Sequence, residues 1–202
     1  MRTFIGSLGF VAGSATAAAL FSSGHAHQSA PAAVAQAQAP ASADRIPVTN
    51  AEFRQAYGAR LIDGPIKTVL NVGGPMKYGD FRWDDKGVPP GPAWVRVDLR
   101  SQLISVFRAG HEIGTAVILY GADGVPTPTG RFPILAKLRS HRSATYDAPM
   151  PYTLRLTRDG VSIHGSNVRW GFATHGCVGV PTAFAAKLFD SVSKGDEVYI
   201  VA

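Results

Sequence analysis

The stretch "WVRVDLRSQLISVFRAGHEIGTAVILY", Trp94–Tyr120, decides the fold. In its first part Val95, Val97 and Leu99 alternate with Arg96, Asp98 and Arg100. A period of two with one wet face marks a half-buried strand. Two further strand-like runs follow, joined through Ala109-Gly110. Downstream, "PTPTGRFPIL" (126–135) sets a turn before another strand. "YTLRL" (152–156) and "VSIH" (161–164) flank a short turn at Arg158–Gly160, and "DEVYIV" (196–201) supplies a last strand. One helix interrupts this pattern. In "PTAFAAKLFDSVSKG" (181–195), Phe184, Leu188 and Val192 share a stripe, with Ala185 and Phe189 beside it. Pro181 and Thr182 start it and Gly195 stops it. That helix begins four residues after Cys177, so the thiol is expected on the loop entering it. The expected architecture is mainly β, mostly antiparallel, with one packed helix.

Upstream of residue 93 the pattern weakens. "TNAEFRQAYGARL" (49–61) predicts a short helix with Thr49 or Asn50 as N-cap and Gly58 near its end. Thr68–Val72 is a strand candidate in a stretch otherwise dense in Gly and Pro. Residues 44–92 are expected to form an N-terminal extension packed on a main domain at 93–202. Arg2 precedes an uncharged, largely apolar run to Gly24, and Gly24-His25-Ala26 is a small-x-small triplet. Residues 1–26 therefore read as a signal peptide, and the Ala/Gln/Pro-rich residues 27–43 as a flexible tether. Export to the periplasm or cell envelope is the expectation. A membrane enters only if the leader stays uncleaved.

Composition narrows the partners. Lys and Arg number 20 against 14 Asp and Glu, which suits an anionic surface such as nucleic acid, membrane or wall polymer. No two Lys/Arg are adjacent, however, so no nucleic-acid partner is expected.

The chemistry gathers in "IHGSNVRWGFATHGC", Ile163–Cys177, which holds the only cysteine of the 202 residues. With no intrachain disulfide partner, a thiol in an oxidising compartment is a liability unless buried or needed. A thiol attacks as thiolate, so a working cysteine needs a nearby base or positive charge, and an imidazolium partner would lower its pKa. His164 and His175 offer that. Val161 and Ile163 face one way and Ser162 and His164 the other, with His164 at the strand's end. "THGCVG" is punctuated by glycine, so amides of Gly176, Cys177 or Val178 can line an oxyanion hole. Two histidines and a cysteine can also hold zinc, but no H-x-E or CxxC spacing supports it. A buried inert thiol is the other alternative, for which a loop between glycines is a poor place. His111 and His141 read as ordinary surface or core histidines.

The segment "IHG…THGCVGVP" resembles the signature of the L,D-transpeptidase catalytic domain family, also called YkuD. "VDLRSQLISVFRAG" is similar to that family's opening hairpin, "TPTGRF" to its turn, and "YDAPMPY" to the stretch before its histidine strand. The resemblance covers residues 93–202. It implies a β-sandwich with one packed helix after the nucleophile loop, carrying a small N-terminal extension. It also implies a periplasmic enzyme that acts on peptidoglycan stem peptides, a donor tetrapeptide and an amine acceptor. Cys177 would be the nucleophile and His164 the proton donor and acceptor, oriented by a backbone carbonyl. His175 would support the oxyanion and nucleophile loop, and Gly176 would supply a backbone amide to the hole. Tyr146, Tyr152 and Thr174 are the candidate substrate contacts, the tyrosines as walls of a flap at "RSHRSATYDAPMPY" (139–152).

No cofactor or metal is expected, so activity should survive chelation, and a monomer is expected. Two departures from the family pattern stand out. The spacer between His164 and Thr174 is nine residues, shorter than in many members, and Gly179 stands where Asn or Arg is common. The alternatives to crosslinking are an L,D-carboxypeptidase of the same fold and a non-catalytic cell-wall-binding module.

Overall fold

The computed structural model describes residues 44–58 and 62–202; the leader and tether expected over residues 1–43 lie outside them. The chain opens with β1 (Arg45–Pro47), α1 (Asn50–Gly58), β2 (Thr68–Leu70) and β3 (Phe81–Trp83). It continues with β4 (Ala93–Asp98), β5 (Leu103–Arg108), β6 (His111–Val117), β7 (Gly130–Pro133) and β8 (Ala136–Leu138). Then come β9 (Thr153–Arg155), β10 (Ser162–Ser166), β11 (Val178–Pro181), α2 (Thr182–Ser191) and β12 (Glu197–Val201).

Two sheets form. The larger has eight strands in the order β1-β2-β6-β5-β4-β12-β7, with β3 also paired to β6. The smaller runs β11-β10-β9-β8. The alternation read in Trp94–Tyr120 becomes the β4–β5–β6 meander, whose inward residues Val95, Val97, Ile104, Val106, Ile113 and Ala116 are fully buried. They share one core with Leu154, Ile163, Val178 and Val180 of the second sheet and with Phe184, Ala185, Leu188 and Phe189 of α2. The protein is thus mainly β with a packed helix, as its sequence pattern implied.

Three details differ from expectation. A strand, β11, stands between Cys177 and α2, so the loop carrying Cys177 enters a strand rather than a helix. His164 lies in the middle of β10, not at a strand end. The pairing is mostly antiparallel, yet β2–β6, β4–β12 and β10–β11 are parallel. Short runs such as "AKL" and "VGVP" are too brief for periodicity to mark them, and partners distant in sequence make them strands.

The upstream segment joins the larger sheet through β1, β2 and β3. Its helix α1 buries no residue and is closed at its start by a capping box. Glu52 Oε2 accepts from the Thr49 amide at 2.8 Å, while Thr49 Oγ1 accepts from the Glu52 amide at 3.2 Å. No helix among the described residues is long and apolar enough to cross a membrane.

Candidate active site

The site is built by strand register. In the parallel pair β10–β11, Ile163 faces Val178 and His164 faces Gly179. Ile163 and Val178 are buried in the core. Successive side chains alternate between faces, so Ser162 and His164 turn to the opposite side. Cys177, the residue before Val178, takes that same side. Its sulfur lies 3.9 Å from the Gly160 carbonyl and receives the Ser162 backbone N–H. The register therefore turns Cys177 and His164 to one face, although His164 lies thirteen positions before the cysteine in the chain.

His164 is 9% exposed and its Nδ1 lies 3.0 Å from the carbonyl oxygen of Gly165. A carbonyl can only accept, so Nδ1 carries the proton and Nε2 presents its lone pair. Burial pushes this imidazole below the ordinary histidine range; the Gly165 bond opposes that shift and the nearby charge of His141 adds to it. Burial also pushes the Cys177 thiol up, against the Ser162 amide. Burial thus favours the neutral thiol and the neutral imidazole over their charged forms. Of the two partners the sequence left open for the thiol, a base or a positive charge, desolvation favours the base, since it disfavours both charged forms.

The loop carrying Cys177 is held by a threonine hub. Thr127, 5% exposed, accepts the Gly121 amide at 2.8 Å and donates to the Cys177 carbonyl at 3.3 Å. Thr174 donates its hydroxyl to the same carbonyl at 2.5 Å. Its amide donates to Tyr120 O at 2.9 Å, and its carbonyl accepts from the Ala122 amide at 3.0 Å. Leu119 and Gly179 exchange backbone bonds at 2.8 and 2.9 Å. Only glycine fits at 121, because a Cβ there would run into the Val125 carbonyl oxygen. Gly176 sits at φ +95°, a left-handed conformation that aims the following amide differently from an extended strand. Among the described residues neither the Gly176 nor the Cys177 amide donates a hydrogen bond.

A flap over Arg139–Tyr152 closes one side. Its stem is zipped by Met150 N to His141 O at 2.8 Å and Tyr152 N to Arg139 O at 2.9 Å. The Gly165 amide, next to His164, donates to Pro151 O at 2.8 Å. At the tip the Tyr146 ring stacks on exposed His175, with 4.1 Å between centroids.

Of the residues singled out in the sequence, the structure turns Cys177 and His164 to one face of β10–β11 and stacks Tyr146 on His175, two residues before the cysteine. Thr174 sits in the loop's scaffold with its hydroxyl engaged. Tyr152 packs edge-on against Phe189, with the Arg139 guanidinium over its ring. Sequence reasoning missed Thr127, although it lies in the quoted TPTG turn. Among the described residues no cluster of three or more His, Cys, Asp or Glu is spaced to hold a metal ion.

With this geometry in view, similarity to known proteins is specific. L,D-transpeptidase 1 of Mycobacterium tuberculosis is 28% identical over 136 residues, covering 57% of this chain and 53% of that protein. The chain thus spans about half the length of the curated relatives it matches. Among solved structures, an L,D-transpeptidase from Stackebrandtia nassauensis is 25% identical with a TM-score of 0.52, covering 56% of this chain and 57% of that one. The L,D-transpeptidase LdtMt1 in complex with imipenem is also 25% identical, with a TM-score of 0.50, covering 54% and 58%. The L,D-transpeptidase catalytic domain (YkuD) family matches residues 92–200, and the chain belongs to that family.

Proposed function

We propose that the protein is a cysteine acyltransferase that crosslinks peptidoglycan stem peptides. The observation carrying this is the β10–β11 register, which sets the Cys177 thiol on the face of His164 while Gly165 O holds the imidazole as a base. The chemistry follows from the two neutral groups. His164 Nε2 takes the Cys177 proton as sulfur bonds to the carbonyl carbon preceding the terminal D-Ala of a donor tetrapeptide. The resulting oxyanion is met by the unengaged amides of Gly176 and Cys177. Collapse breaks the C–N bond, the Nε2 proton passes to the leaving amine, and D-Ala departs from a thioester. The side-chain amine of a second stem then attacks the thioester and loses a proton to His164. An amide forms and the thiol is restored.

Tyr146 is a wall of the donor cleft and keeps His175 over the loop. Export to the cell envelope belongs to the same proposal, since the wall polymer lies there. Incubation with tetrapeptide-stem muropeptides, followed by mass spectrometry, is the direct test. Crosslinked dimers with release of D-Ala are expected, and Cys177→Ala should abolish them. Tripeptides alone would make water the acceptor and the protein an L,D-carboxypeptidase. Unchanged muropeptide would leave a wall-binding module. Imipenem gives an independent check: a covalent adduct confined to Cys177 is expected.

A further inference from the structure

A second cleft, of about 510 Å³, lies between residues 69–78 and one face of β5 and β6. Ile104, Val106, Ile113 and Ala116 turn to the core, whereas Leu103, Ser105, Thr115 and Val117 line this cleft. It shares no residue with the thiol site, and its volume is within the range of small-molecule sites.

Glu112 is the only Asp, Glu, Lys, Arg or His in its lining, in a protein whose net charge is +6. It is 5% exposed. Its carboxylate accepts the Leu70 amide at 2.7 Å and the Ser105 hydroxyl, both neutral donors. Arg45 is near enough to be felt, yet it is committed elsewhere. It donates to the Glu112 backbone carbonyl at 2.6 Å and to the Asp84 backbone carbonyl, and it pairs with the Asp84 carboxylate at 3.5 Å. Among the described residues Glu112 has no ion-pair partner. Burial pushes its carboxyl above the ordinary range. A buried carboxylate with only neutral partners is stabilised by any cation that reaches it.

We propose that this cleft binds a primary alkylammonium group carried on a slender chain. Glu112 is the counter-ion, the Ser105 and Thr115 hydroxyls take remaining ammonium hydrogens, and Val72, Met76 and Leu103 flank the methylenes. An ammonium has three donors and no acceptor, which suits one carboxylate flanked by two hydroxyls. The apolar lining suits the methylene stem, which buries readily while its charged end is paired. The occupant would also adjoin the loop before Cys177. Met76, Leu103 and Val117 cluster with Val168 of that loop, and Tyr78 meets Trp170 edge-on at 5.7 Å. The inference goes beyond acyl transfer and does not depend on it.

Titration of the full chain with cadaverine, followed by amide NMR shifts, tests it. Saturable shifts are expected at Ser105, Glu112 and Thr115, with 1-pentanol binding more weakly. Glu112→Gln should weaken cadaverine about tenfold or more, the worth of a hydrogen bond to a charged group. Cys177→Ala should leave binding unchanged, which separates this site from the thiol whatever becomes of the acyl-transfer reaction. Val72→Lys, at an exposed position on the cleft, should supply its own ammonium and block the probe; it decides the matter if Glu112→Gln does not fold. Shifts confined to the Gly176–Cys177 loop, equal binding of pentanol, or undiminished binding by folded Glu112→Gln or Val72→Lys would each overturn the proposal.

Discussion

The ring of Tyr146 lies on that of His175 with 4.1 Å between centroids and 19° between planes. One belongs to the flap and the other to the loop carrying Cys177. Tyr146 is 49% exposed, so the stack costs little apolar burial and adds mainly position. Aromatic pairs contribute about 0.5–1.5 kcal/mol beyond their area. Tyr146→Ala is expected to lower kcat/KM by roughly two- to tenfold. Tyr146→Phe, which keeps the ring, should leave it near wild type. Thermal melts should shift little for either, as for other exposed substitutions.

Burial that disfavours the charged forms of Cys177 and His164 makes a distinct kinetic prediction. Burial holds the thiol above the usual 9.0 and the imidazole below the usual 6.5. Iodoacetamide can label only Cys177, and its rate should stay low at neutral pH and rise above pH 9. His164→Gln should move that profile little, because no imidazolium stabilises the thiolate at rest. It should still lower turnover by about 10²–10⁴-fold, the usual worth of a general base. Rapid labelling at neutral pH that disappears in His164→Gln would reinstate the ion pair.

Thr127 predicts a stability effect at a residue that takes no part in proton transfer. Its buried hydroxyl satisfies the Gly121 amide and contacts the Cys177 carbonyl. Thr127→Val keeps the shape and removes both bonds, leaving a buried amide unpaired. A loss of about 1–3 kcal/mol in urea melts is expected, with reduced turnover. Thr127→Ser should recover most of both.

The pH dependence of stability has a definite sign. Because folded His164 resists protonation, the unfolded chain binds the proton first. Stability should therefore fall as pH drops below about 6.5, towards the lower folded value. Glu112, whose carboxyl is raised, acts in the opposite sense from its ordinary 4.5 upward. The comparison that isolates His164 is wild type against His164→Gln in chemical melts. The variant should lose His164's share of the acid-side decline over that window and keep the share of His111, whose imidazole burial also holds low, while the two curves run parallel above pH 7.

The period-two alternation of Trp94–Tyr120 was enough to specify a β meander, because strand patterning is local and each face declares itself within a few residues. The Thr174-His175-Gly176-Cys177 cluster likewise marked the loop that carries the thiol. Neither feature contains the register between segments. That Cys177 and His164 share a face follows from parallel pairing of β10 with β11, and the short "VGVP" run shows no strand until His164 and Ile163 lie beside it. Their neutral charge states follow from burial under the flap and core, an environment assembled from segments distant in sequence. Thr127 beneath the nucleophile and Glu112 at the second cleft depend on the same long-range packing, which local residue patterns do not encode.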